Sequence, residues 1–256
     1  MSLTFNAKTH RYRLDGKPVT GVTTLISGGI PKPALPYWAA KSVAEWVAEH
    51  PGLTDQIAEM GGKGPLVAFL KGVPWQKRDD AGARGTDVHD LGEKLVHGEA
   101  VDVPERLAEM VGGYARFLDL WQPVPVLTEK SVANRKHWYA VRFDLIADID
   151  GVRWLLDLKT AKGVYGDNCL QTEAYRSAEF YVTDEDPETE IPIPEGIERL
   201  GVIHIREDGS DLVPLDSSGE GFKDFIHCAF LAKRKDQREG YVHAALTPPE
   251  PKETAA

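Results

Sequence analysis

Asp144, Asp157 and Lys159 are the residues whose types and spacing could do chemistry. They lie in the stretch 138–162, WYAVRFDLIADIDGVRWLLDLKTAK, which reads as two strands joined at Asp150-Gly151, a dipeptide favoured in tight hairpin turns. Alternation in the second strand puts Leu155, Asp157 and Lys159 on one face and Trp154, Leu156 and Leu158 on the other. Folding about the turn brings Asp144 opposite, or nearly opposite, Asp157. Neighbouring carboxylates repel and raise each other's pKa unless a cation intervenes, and unpaired charge facing an apolar interior is costly. A divalent metal ion resolves this, with Lys159 adding further positive charge. The spacing also fits a blander reading, a solvent-facing sheet edge with a structural ion pair.

The elements that must position these residues follow from the flanking sequence. Residues 75–97 read as one long helix in which Gly85, His89, Gly92 and Val96 share a face, with Val88, Leu91 and Leu95 on the adjoining apolar face. Each glycine costs about 1 kcal/mol of helix propensity. Two of them beside a histidine therefore predict close approach of a strand or a phosphate backbone. Alone, His89 reads as a buried, hydrogen-bonded core histidine. Residues 104–120 form a second amphipathic helix with Leu107, Met110, Val111, Tyr114 and Leu118 inward. Residues 124–132 form the first strand of the sheet and carry Glu129. Residues 167–181 form a helix with Gln171 and Tyr175 one turn apart on one face.

Upstream, residues 5–14 read as a short hairpin with a turn at Asp15-Gly16, and residues 19–26 as a β-branched strand ending at Ser27-Gly28-Gly29. Residues 35–50 read as a helix burying Trp38, Val43, Trp46 and Val47. The run 61–65, GGKGP, lacks the spacing of a phosphate loop, and its proline removes a donor, so it reads as a plain loop. Downstream come an acidic, proline-rich loop at 183–195, a strand at 199–206 and a turn at Asp208-Gly209 into a strand at 212–215. A final helix at 217–239 has Phe222, Phe225, Ile226 and Phe230 inward, and a disordered tail covers 246–256. The order predicts an α/β fold, a central mixed β-sheet flanked by helices, with a largely helical N-terminal half. One domain spans 1–245, with a hairpin and helical part over 1–121 and a sheet-containing core over 122–245.

The chain has 256 residues and a net charge of −10, which argues against broad, nonspecific coating of nucleic acid. Basic residues cluster locally at Lys32, Lys41, Lys77, Arg78 and Arg84 and at Lys233-Arg234-Lys235; a solvated face and a binding groove both fit. No apolar run is long enough to span a membrane and no signal-peptide layout opens the chain, so a cytoplasmic protein is expected. The histidines form no H-x-x-x-H pair, and Cys169 and Cys228 form no metal or disulfide pattern, which makes a zinc site a poor fit.

The order Gly85-x-x-x-His89, Glu129, Asp144, Asp157-Leu158-Lys159 and Gln171-x-x-x-Tyr175 resembles the PD-(D/E)XK nuclease superfamily, in the branch of RecB-type nuclease domains and phage recombination exonucleases. One departure is Ala140, or Val141, where that family often has glycine before the first aspartate. The resemblance implies a restriction-endonuclease-like core. It implies Mg²⁺ or Mn²⁺ held by His89, Asp144, Asp157 and the carbonyl of Leu158, with Glu129 close by. Glu93, one turn beyond His89, is a candidate acceptor for the second imidazole nitrogen. Lys159 would orient the attacking water or stabilise transition-state charge. Gln171 and Tyr175, with Arg84 and Lys41, would contact the DNA substrate or orient the lysine. Relatives with an iron–sulfur cluster use four cysteines, so none is expected here. The implied activity is exonucleolytic hydrolysis of DNA in phage or bacterial recombination or repair, with a recombination protein as a further partner. A nicking or structure-specific endonuclease and a non-catalytic DNA-binding module are the alternatives.

Overall fold

The computed structural model describes residues 2–6 and 9–246. In chain order the elements are β1 (Leu3–Asn6), β2 (Arg11–Leu14), β3 (Lys17–Gly21), α1 (Val22–Gly29), α2 (Ala34–Glu49), α3 (Leu53–Gly61) and α4 (Lys63–Val96). A 3-10 turn at Glu105–Leu107 leads into α5 (Ala108–Trp121), then β4 (Val124–Asn134), β5 (Tyr139–Ile149), β6 (Val152–Lys159), α6 (Gly166–Arg176), β7 (Phe180–Val182) and β8 (Ile191–Pro192). The chain continues through β9 (Arg199–Arg206), β10 (Gly209–Leu215), α7 (Glu220–Lys233) and α8 (Lys235–Glu239).

The fold is α/β, and the described strands join one mixed sheet. β4, β5 and β6 are antiparallel neighbours, β9 runs parallel to β6, and β10 returns antiparallel to β9. β7 pairs with the far edge of β4. The N-terminal strands join through β3, which runs parallel to β5 at Thr20–Tyr139 and Gly21–Ala140. β4 occupies one edge of β5 for nearly its whole length, so β3 and β6 must share the other edge. β6 begins to pair only at Leu145–Leu156. Residues 141–144 of β5 thus lie in a gap between two partner strands, and Asp144 is the last of them.

The alternation of β5 slips at the same place. Val141, Phe143 and Ile146 pack in a core under α1, α6 and α7 with Leu25, Tyr175 and Phe225. Leu145, Ala147 and Ile149 pack in the opposite core under α4 and α5 with Val88, Tyr114 and Phe117. On β6 the expected division holds: Leu155 belongs to the first core, Leu156 and Leu158 to the second.

Several sequence expectations are corrected. Residues 19–26 do not form one strand; β3 ends at Gly21 and α1 starts at Val22. Packing overrides β-propensity here, since Val22, Leu25 and Ile26 all reach the core. Gly28 and Gly29 do not stop α1. A Cβ on Gly28 would lie 2.8 Å from the Ala232 Cβ, and one on Gly29 would lie 2.4 Å from the Cys228 carbonyl oxygen, so they let α1 and α7 touch. The loop expected at 61–65 shrinks to Gly62, whose φ of +80° breaks the chain between α3 and α4. Pro65 falls in the first turn of α4, where no intrahelical N–H is needed. Trp38 and Val47 are exposed rather than core, and Ser42 is the buried residue of α2. α6 ends at Arg176 instead of residue 181, because Phe180–Val182 adds to the sheet. The last helix breaks at Arg234, and Phe230 points outward over the Arg234 guanidinium; the inward stripe from Phe225 continues through Cys228 and Ala229. The tail from Thr247 lies outside the described residues. No described helix is long and apolar enough to cross a membrane.

Candidate metal centre

Three elements converge where β5 lacks a partner strand. α4 supplies His89, β4 supplies Glu129 and β5 supplies Asp144, and one potential ligand atom from each lies within 4.8 Å of the others. α4 can come this close because of its glycines. A Cβ on Gly92 would sit 3.2 Å from Leu158 and 3.3 Å from Tyr114, and one on Gly85 would sit 3.2 Å from the Thr160 hydroxyl. What approaches α4 here is Leu158 of β6, Thr160 just after it and Tyr114 of α5. His89 Nδ1 lies 3.4 Å from Asp144 Oδ1. Asp144 Oδ2 accepts a hydrogen bond from the Leu158 backbone N–H at 2.6 Å, just past the last paired rung of β5 and β6. Glu129 has φ of +48° within a strand, a conformation costing on the order of 1–3 kcal/mol for a side-chain-bearing residue. Its carboxylate accepts from Arg142 Nε at 2.9 Å.

Asp157 reaches toward α6 and still feels the charges of Asp144 and His89. Its residue is only 1% exposed. Its carboxylate pairs with Lys159 Nζ at 2.5 Å and accepts from Gln171 Nε2 at 3.3 Å and from the Tyr175 hydroxyl at 3.4 Å. Gln171 and Tyr175 are also in direct contact with each other.

The electrostatics of the two sides differ. Burial disfavours a charged His89, but the Asp144 carboxylate beside it outweighs this and pushes the imidazole up to about 9. Burial, reinforced by the charge of Asp144, pushes Glu129 up to about 7 against the pull of Arg142. Burial also works against ionisation of Asp144, yet His89, Lys159 and the Leu158 N–H hold its carboxyl below the usual range. Asp157 is raised by burial, which Lys159 offsets in part. Burial opposes the charge on Lys159, but Asp157 and Asp144 raise its pKa further and keep it an ammonium.

No family model matches the chain, and no curated protein matches it. The centre therefore stands on its own geometry. Of the expected ligands, His89 and Asp144 meet; Asp157 does not join their close group, and Glu129 takes that place. Leu158 enters through its backbone N–H and lines the small cavity between α4 and the sheet. Glu93 does not serve His89: its carboxylate accepts from Thr128 at 3.4 Å, and Thr128 also meets His97 at 3.0 Å. Gln171 and Tyr175 reach Asp157. Arg84 is exposed on α4, and Lys41 is exposed on α2 and paired with Glu45 at 3.5 Å; neither enters the acidic group.

Sequence reasoning passed over Arg142 and Tyr12. Arg142 was an ordinary polar position in an alternating strand, although an arginine two residues before a buried aspartate is a usable signal. Tyr12, whose hydroxyl burial pushes up to about 12, stands beside Arg142 and Glu129. It comes from the N-terminal hairpin, and nothing local in the sequence links that hairpin to the site.

The donor set suits a hard divalent ion. Two carboxylates and an imidazole are ligands that Mg²⁺, Mn²⁺ and other first-row ions accept. They pack together with little exposure, 12% for the Asp144 side chain and 17% for Glu129, and lean on His89 and on Arg142, which also serves Asp184.

Proposed function

We propose that this chain is a Mg²⁺- or Mn²⁺-dependent deoxyribonuclease of the PD-(D/E)XK superfamily, hydrolysing phosphodiester bonds from DNA ends in recombination or repair. The observation that carries the reading is the meeting of His89, Glu129 and Asp144 beside the Asp157–Lys159 ion pair. The order α4, β4, β5, β6, α6, β9, with β6 and β9 parallel, supports a restriction-endonuclease-like core.

His89, Glu129 and Asp144 would hold the ion, with the Leu158 carbonyl as a further ligand, while Asp157 stays engaged with Lys159. When bound, the ion supplies Lewis acidity to a phosphoryl oxygen and lowers the pKa of adjacent water. Lys159 brings a fixed positive charge to the place where a phosphoryl group gains negative charge. Its raised pKa makes it a positioning and charge-stabilising group, since a base would have to be neutral. Asp157 holds the Lys159 ammonium, and Gln171 and Tyr175 hold Asp157 in turn. Exposed Lys41 and Arg84 supply charge for phosphate contacts.

End-labelled linear DNA and closed circular DNA, each with Mg²⁺, with Mn²⁺ or with chelator, test the proposal. Metal-dependent loss of the linear form alone is the expected result. Nicking of the circle assigns an endonuclease instead, and binding without cleavage under every metal condition overturns the enzyme.

A further inference from the structure

We infer that Arg142 is the positioning residue that turns Glu129 toward His89 and Asp144, and that Asp184 sets the aim of Arg142. This deepens the proposed metal-site reading and rests on it.

Arg142 lies on β5 opposite Ser131 of β4, two residues before Asp144 on the same strand. Its Nε donates to Glu129 at 2.9 Å, while Nη1 and Nη2 reach the two Asp184 oxygens at 3.1 to 3.2 Å. Among the described residues, Arg142 is the hydrogen-bond donor that the Glu129 carboxylate has. Glu129 needs such a tether for two reasons. A carboxylate beside the carboxylate of Asp144 is repelled from it, and the left-handed backbone at Glu129 leaves the regular strand geometry that would otherwise direct the side chain. The guanidinium is a planar fork, so fixing two of its nitrogens on Asp184 fixes the direction of the third. Asp184 opens the acidic loop after β7, which makes that loop a brace for the site.

The test measures Mn²⁺ affinity of the full chain by electron paramagnetic resonance of free ion, with thermal unfolding in metal-free buffer recorded alongside. Arg142→Ala should weaken binding by about 10–100-fold, the range for residues that orient metal ligands, and by about as much as Glu129→Gln. The double variant should be no worse than either single one. Asp184→Asn should lose less affinity in the same direction. Wild-type affinity in Arg142→Ala, or losses that multiply in the double variant, overturns the role of Arg142. If Arg142→Ala does not fold, Arg142→Lys keeps the charge without the fork. Weaker Mn²⁺ binding with an intact unfolding transition in that variant supports the inference, and unchanged affinity overturns it. A wild-type chain that binds no Mn²⁺ overturns the metal-site reading and this inference together.

Discussion

On the α6 side of the sheet the Asp157 carboxylate is surrounded by partners from its own fold: an ammonium, an amide and a phenol. On the α4 side two carboxylates and an imidazole face one another with one backbone N–H and one shared guanidinium among them. The first arrangement is nearly complete as folded. The second leaves Asp144 and Glu129 to share an imidazole and a guanidinium, and the guanidinium also serves Asp184. The contrast teaches that a cluster of acids is informative through what it lacks: the Asp157 group reads as a prearranged charge, the Asp144 group as a ligand set.

Substituting one residue from each side puts that division at risk. Asp144→Asn should have the largest effect, with Mn²⁺ affinity falling more than about 100-fold, beyond the range for residues that merely orient ligands, and cleavage lost with it. Should Asp157→Asn abolish Mn²⁺ binding while Asp144→Asn leaves it intact, the division is reversed. Lys159→Ala should slow cleavage about 10²–10³-fold, as for loss of one transition-state donor. Mn²⁺ affinity and retention of DNA in an electrophoretic shift should change little. Undiminished cleavage in that variant removes the role given to the ammonium.

A pH titration gives the smallest and sharpest contrast. His89 rises to about 9 through Asp144, so in metal-free protein its pairing stabilises the fold fully below about 6.5, and that contribution fades as pH climbs through 9. Mn²⁺ needs the neutral ring and runs the other way. Its affinity should rise about tenfold per pH unit between 7 and 9, one proton leaving per ion bound, and level off above 9. Below 7 protonation of Glu129 steepens the slope. Isothermal calorimetry in buffers of different ionisation heat counts the protons; a flat profile places the ion elsewhere.

Much of this was legible in the chain itself. The Asp150-Gly151 turn, the two faces of β6 and the helix carrying His89 follow from local pattern, because turn chemistry and alternation act over a few residues. Glu129 as a close neighbour of His89 and Asp144 came from resemblance, since its left-handed backbone breaks the alternation by which its direction would be read. Arg142 and Tyr12 were passed over, as their importance arises from contacts between strands distant in sequence. The glycines of α1 misled for a related reason: in sequence Gly28-Gly29 marks a stop, while in space it is where another helix presses in.

The shared edge of β5 bears on how the protein comes into being. Thr20 and Tyr139 sit on the order of a hundred residues apart along the chain, yet they must be side by side before that edge is complete. Joining such remote segments carries a large loop-closure entropy and belongs late in folding. A half-made polypeptide emerging from the ribosome has the N-terminal hairpin without the strand it docks on, so the gap beside Asp144 takes shape only with the finished molecule.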